Sequence, residues 1–322
     1  MGIQTIKDML AFNQQTAFHD EVADRKRLIS KSIYLGIPAL DHAFKSLLPN
    51  DFCIIAAKTG SGKTELITQI ALNIAGQKKR CDLFALEASK FEIHRRLKYK
   101  VLTGLYRADG GEQHLSYSGW IRFAYDQLLE KYALAAEEQL AEISKYLYVH
   151  YRTSSFDIKD FIKMYNAVAG KSSCVLADHA HFFTKDEKTT DSEHMRSLAL
   201  QMFDMANKFE VPIVMASHLR KVDSDKQYPD ENDIYGASEL SKAATRIMII
   251  CRGDYRADKG GYETVFRVPK NREESPTALR VLFSMEQKKY SDAFQEGQIV
   301  RDEFVEKEQL QKEQAKHAKA NR

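Results

Sequence analysis

The most chemically explicit stretch of the chain is Ala57-Lys58-Thr59-Gly60-Ser61-Gly62-Lys63-Thr64. Small residues at this spacing let successive backbone N–H groups curl around phosphate oxygens. A helix that begins where the loop ends presents its positive terminus to the same anion. Lys63 adds a mobile point charge for the β- and γ-phosphates, and the Thr64 hydroxyl is of the type that ligates Mg²⁺. Ala57 stands where this pattern usually begins with glycine. The context also fits, because the apolar run FCIIAA leads in and TELITQIALNIAG follows, with Leu66, Ile67, Ile70, Ala71 and Ile74 on one helical face. The residues predict binding of a nucleoside triphosphate, read as ATP with Mg²⁺.

Hydrolysis needs more than a phosphate loop. A carboxylate must hold the magnesium shell, and a second group must orient or deprotonate water. Asp178 closes the apolar run CVLA, at the carboxyl end of an expected strand, where open α/β sheets bind ligands. The next residue is His179 rather than a glutamate, so the water-activating carboxylate must come from elsewhere, and Glu87, closing DLFAL, is the candidate. His218 follows PIVMAS at another strand end, where a polar side chain can touch the γ-phosphate and report its loss. Lys270 and Arg272 lie in VPKNREE between two late strands. They read either as a solvated basic turn or as cations that reach a neighbouring subunit's γ-phosphate.

These residues need a scaffold, and the pattern supplies one. Short apolar runs at 52–57, 82–86, 174–177, 212–217 and 246–251 alternate with helical periodicity. That alternation predicts an α/β fold with a mostly parallel sheet flanked by helices. After residue 262 the runs YETVFRV and ALRVLFS read as antiparallel strands. The segment SEHMRSLALQMFDMANKF places Met195, Leu198, Ala199, Met202, Phe203, Ala206 and Phe209 on one buried helical face, and 104–148 reads as helical. Three regions are expected: an N-terminal helical arm over 1–35, a nucleotide-binding α/β domain over 36–292, and a charged tail over 293–322.

Composition narrows the class. The chain has 322 residues, 43% hydrophobic and 29% charged, with a formal net charge of +3. That is ordinary for a globular chain with a core of its own and excludes a histone-like basic protein. No apolar run approaches the roughly 18 residues of a membrane span, and MGIQTIKDMLAFNQQ lacks a signal-peptide pattern. Cys53, Cys81, Cys174 and Cys251 show no metal-type spacing and read as reduced, buried thiols of a cytoplasmic protein.

Taken in order, the motifs resemble the RecA-like motor domain of DnaB-type hexameric replicative helicases, a group that includes the helicase half of phage primase-helicases. The resemblance covers about residues 30–292. YLGIPALDHAFKSLLPNDFCIIAAKTGSGKT is similar to that family's approach to its P-loop, and LFALEASKFEIHRRL resembles the strand whose terminal Glu activates water. CVLADHAHFF resembles the magnesium-aspartate strand, VPIVMASHLRK the sensor strand, and RVPKNREESPTALRVLFS the Lys-x-Arg finger loop.

The resemblance implies an ATP-driven ring, a homo-hexamer that moves on single-stranded DNA and unwinds duplex during replication, with a primase or helicase loader as partner. It also implies two channel-facing loops, about 183–196 and about 219–236, with Lys185, Lys188, Arg196, Arg220, Lys221 and Lys226 as phosphate-gripping candidates. Two departures stand out. Lys242 takes a position where the family often has Gln, and only about 35 residues precede the motor, which points to a phage, plasmid or mobile-element version that lacks the family's collar. The alternative is a non-helicase RecA-type or KaiC-like ATPase, acting as a recombination mediator or regulatory switch. A module that only binds nucleotide is the third reading, against which Glu87 argues.

Overall fold

The computed structural model describes residues 14–152, 155–185, 189–220, 229–234 and 237–292. Its strands are β1 Phe52–Ala57, β2 Cys81–Ala85, β3 Leu147–Tyr151, β4 Cys174–Asp178, β5 Ile213–His218, β6 Arg246–Arg256, β7 Gly261–Asn271, β8 Thr277–Ser284 and β9 Lys289–Ser291. They form one nine-stranded sheet in the order β3-β2-β4-β5-β1-β6-β7-β8-β9. From β3 to β6 all neighbours are parallel, and from β6 to β9 they are antiparallel. The mostly parallel α/β sheet and its late antiparallel strands are as expected.

The helices are α1 Gln14–Ser30, α2 Pro38–Phe44, α3 Lys63–Gly76, α4 Lys90–Ala108, α5 Tyr117–Ile121, α6 Asp126–Ile143, α7 Ile158–Val168, α8 Asp191–Phe209 and α9 Ala237–Ala243. Alternate residues of β1 divide between two cores: Cys53, Ile55 and Ala57 pack with α3, α4 and α6, while Phe52, Ile54 and Ala56 pack with α7, α8 and α9. A strand buried on both faces has no polar alternation, which is why FCIIAA is continuously apolar.

Helix α3 buries all five residues of its predicted face. Helix α8 differs in detail. Met205 is buried, whereas Phe203 and Phe209 are only partly covered. The stretch 104–148 is mostly helical but closes with the start of edge strand β3. Ile33 and Leu35 are fully buried, and Ile33 pairs with Leu47, so the core takes in residues just before α2. Helix α1 is largely exposed and is tied to the body by Arg27 and Lys31, which both pair with Glu210 at the end of α8. All four cysteines are free and buried. Among the described residues no helix is long and apolar enough to cross a membrane.

Candidate functional site

The loop after β1 carries two residues that only glycine accepts easily: Gly60 at φ 77° and Gly62 at φ 92°. A Cβ on Gly62 would also run into the Tyr290 hydroxyl, which donates to the Ser61 carbonyl at 2.9 Å. Tyr290 is itself held by Gln69, whose side chain meets the Tyr290 backbone N and O at 2.7 and 2.8 Å. Strand β9 thus braces the loop from behind, a role with no sequence signal because 221 residues separate Gln69 from Tyr290.

Lys63 is only 6% exposed. Its ammonium lies over the loop, 2.9 Å from the Ala57 carbonyl, 3.4 Å from that of Lys58 and 2.9 Å from His218 Nδ1. Burial pulls its pKa down to about 8, while the Asp178 and Glu87 charges hold it up. In the first turn of α3, Glu65 would repel an anion, but Arg96 and Lys100 of α4 both pair with it. Burial pushes the Glu65 carboxyl up, and the Lys100 and Arg96 charges more than offset this, so it stays ionised and neutralised.

The other candidates reach the same edge through the sheet register. Ala57 is level with His218, and Ala85 with Asp178. Asp178 is 2% exposed, receives the Thr64 hydroxyl, and leaves its Oδ1 buried without a hydrogen-bond partner. A buried carboxylate oxygen beside a threonine hydroxyl is a donor set that fits Mg²⁺. Glu87 stands just past β2, half exposed, with Oε2 3.2 Å from His179 Nε2. His179, His181 and His218 converge here, with ring centroids 4.2 to 5.4 Å apart. Burial, reinforced by the neighbouring imidazole of His218, pulls His179 down to about 3 and His181 down to about 4.

Burial also raises Asp178 to about 6; the Thr64 hydroxyl opposes that rise and the Glu87 charge adds to it. A carboxyl whose folded pKa exceeds its unfolded value of about 3.9 contributes stability below that value and loses it as pH rises through about 6. Ionised Asp178 therefore destabilises the fold at neutral pH by up to about 3 kcal/mol. Asp178→Asn is expected to raise the melting temperature by a few degrees at pH 7 without nucleotide, and hardly at all at about pH 4. Calorimetry checks this, and a variant less stable at pH 7 would contradict it.

Lys270 and Arg272 lie at the other end of the sheet. Ile250 of β6 is level with Ala57, but Lys270 is level with Ile247, and the Arg272 N–H donates to the Thr245 carbonyl at 3.2 Å. Five residues of strand, about 17 Å, separate the Arg272 level from the phosphate loop, and three, about 10 Å, separate the Lys270 level. The Lys270 ammonium donates to the Ser241 carbonyl, and the Arg272 guanidinium lies 5.3 Å from the Phe203 ring centroid. The loop is anchored by Arg246, 1% exposed, which binds Asp51 at 3.0 Å and Glu273 at 2.6 Å. Neither cation can reach its own chain's loop.

Of the channel candidates, Lys185 pairs with Asp191, Arg196 lies 3.6 Å from Glu239, and the Arg220 N–H donates to the Asp233 carbonyl. The expected loop 183–196 is helical from Asp191, since Thr190 and Glu193 form a capping box, so Arg196 projects from α8. Lys188, Lys221 and Lys226 lie outside the described residues. Lys242 is exposed and pairs with Glu239 at 3.4 Å.

Comparison with known proteins identifies the family and the fold. The family model for the DnaB-like helicase C terminal domain matches residues 32–292. The chain is 26% identical over 269 residues to the replicative DNA helicase DnaB of Mycoplasma genitalium, a match that covers 75% of this chain and 53% of that protein. The chain therefore spans about half the length of that relative. Among solved structures, one ATPase domain superposes with a TM-score of 0.69 at 17% identity, covering 80% of this chain and 90% of that one. A DnaB-like replicative helicase described with its primase interactions gives 0.68 at 16% identity, covering 80% and 61%.

Proposed function

Because the chain belongs to the DnaB-like helicase C-terminal domain family, we propose that it is the ATP-hydrolysing motor of a ring-forming replicative helicase. It assembles as a homo-hexamer, moves on single-stranded DNA and unwinds duplex, in the cytoplasm and with a primase or loader as partner. The observation that carries this reading is the split of the site. Lys63, Thr64, Asp178, Glu87 and His218 meet at one edge of the sheet, while Lys270 and Arg272 are held at the opposite edge. Such a division suits a site completed by the next subunit.

In this reading Ala57, Lys58, Thr59, Gly60, Ser61 and Gly62 wrap the phosphates with backbone N–H groups, and Lys63 balances the β- and γ-phosphate charge. Thr64 and Asp178 hold Mg²⁺, which supplies Lewis-acid neutralisation of the phosphate oxygens. Glu87 orients water and takes its proton, and His218 joins the γ-phosphate to Lys63 and to the chain beyond β5. Arg272, with Lys270, stabilises the transferring phosphoryl group of the neighbouring subunit. Lys185, Arg196 and Arg220 face DNA phosphates, with Lys188, Lys221 and Lys226 as further candidates. The arm toward a neighbour ends before about residue 32, where the motor's core begins with Ile33 and Leu35, and the motor runs to 292; residues 1–13 of the arm and the tail 293–322 lie outside the described residues.

Glu87→Gln is expected to keep ATP binding and to cut turnover at least about a hundredfold, since a positioned base is worth that much. Steady-state turnover together with fluorescent-nucleotide titration reads this out. Lost binding with a normal rate for the bound fraction would assign the base elsewhere. The reading as a whole is tested by native mass with and without ATP and single-stranded DNA, beside the ATPase rate. A ring whose turnover rises on single-stranded DNA supports it, and a monomer indifferent to DNA contradicts it.

A further inference from the structure

The three histidines at the phosphate edge are more than one sensor requires. His179, His181 and His218 each offer a ligand atom, and those atoms lie within 4.8 Å of one another. His179 and His181 are fixed by the turn Ala180–Phe182 after β4, and His218 by the end of β5, the neighbouring parallel strand. Glu87 Oε2 is 3.2 Å from His179 Nε2. Two donors about 2.0 to 2.1 Å from one tetrahedral ion stand roughly 3.4 Å apart, so that pair already has the spacing of two ligands on one metal.

The geometry points to a binding site for a zinc-class divalent ion, held by His179, His181 and His218 with Glu87 as fourth ligand. Three imidazoles and one carboxylate suit Zn²⁺, Ni²⁺ or Cu²⁺, whereas Mg²⁺ prefers oxygen donors, so the ion is distinct from any held by Thr64 and Asp178. To form it, the imidazole nitrogens must close by at most about 1.4 Å, a distance that side-chain rotation can supply. Two contacts yield: the His181 N–H to His179 Nδ1, at 3.3 Å, and the Lys63 contact with His218 at 2.9 Å. The Glu87 and Asp178 charges, which already act on Lys63, offset the repulsion between its ammonium and the ion. The consequence, which rests on the motor reading above, is inhibition. The ion takes Glu87 away from water and His218 away from the γ-phosphate, so ATP turnover stops while the fold is kept.

Binding is measured on the full chain in zinc-free buffer with excess Mg²⁺ and no nucleotide, and turnover in the same buffer with ATP added. Equilibrium dialysis against Zn²⁺ is expected to show about one ion per chain. Co²⁺ should give a tetrahedral absorption spectrum without a thiolate charge-transfer band, because all four cysteines are buried and free. His181→Gln should weaken binding by at least about a hundredfold, as even outer-shell losses cost 10–100-fold. It should keep its zinc-free, Mg²⁺-dependent ATPase, and zinc should no longer inhibit it. His218→Gln, with circular dichroism of both variants, guards against a loss caused by unfolding. Undiminished zinc binding in both folded variants, or a cobalt spectrum with thiolate ligation, overturns the site. Zinc that binds as expected but leaves turnover unchanged overturns the inhibitory consequence. Zinc binding in a chain with no ATPase under any condition leaves the site standing and overturns the motor reading instead.

Discussion

Lys63→Ala leaves a folded protein without measurable ATP turnover. The ammonium lies 2.9 Å from the Ala57 carbonyl, directly over the glycine loop, and it is the mobile cation of that loop. Without it, the charge that builds on the β- and γ-phosphate oxygens loses its point counter-charge, and losses of at least about 10²–10³ in rate follow from removing one such group. The same side chain gives the fold little. It is 6% exposed and its pKa is drawn down to about 8 by burial, so its ionised form is held at a cost to stability. The melting temperature of the variant should therefore be unchanged or higher. Turnover within tenfold of the parent protein would remove the phosphate-loop assignment, and loss of folding would show that activity failed for another reason.

Arg272→Ala binds ATP normally and hydrolyses it about 10³-fold more slowly, the scale on which an arginine finger acts. Normal binding follows from position: the residue is five strand residues below its own phosphate loop, with its guanidinium over Phe203. Stability should change little, since an exposed cation–π contact is worth only about 0.5–1 kcal/mol. Single-turnover rates measured beside nucleotide affinity separate the two effects. A variant with parental turnover would make Arg272 a solvated turn residue. A variant that loses ATP affinity and turnover in dilute monomers would mean that it acts within its own chain.

The central parallel strands and the phosphate loop are legible because their signals are local. β1 coincides with FCIIAA, and the α3 face repeats at helical spacing. Strand β3, LYVHY, carries no such signal, because as an edge strand it is only partly buried and lacks a clean apolar run. The helical start of 191–196 is signalled by Thr190 and Glu193, a cap that position between strands does not reveal. The histidine cluster is half visible, as the closely spaced pair His179 and His181. Its third member joins only through the pairing of β4 with β5, which no local pattern specifies. Likewise the placing of Arg272 far from Lys63 depends on β7 returning antiparallel to β6, and the brace of Tyr290 on the loop depends on β9. Contacts across a sheet are set by register, and register is a property of the fold rather than of any one segment.

Mixing two inactive variants tests the central claim, a site shared between neighbouring subunits. On the proposed reading, Arg272→Ala lacks the cation given to a neighbour, and Glu87→Gln lacks the base kept within its own subunit. In mixed rings some interfaces pair an intact Glu87 with an intact Arg272 from the adjacent subunit. With subunit exchange demonstrated by native mass spectrometry, ATPase is expected to return on mixing, with a maximum at intermediate ratios. No recovery at any ratio, with exchange shown, would contradict the account.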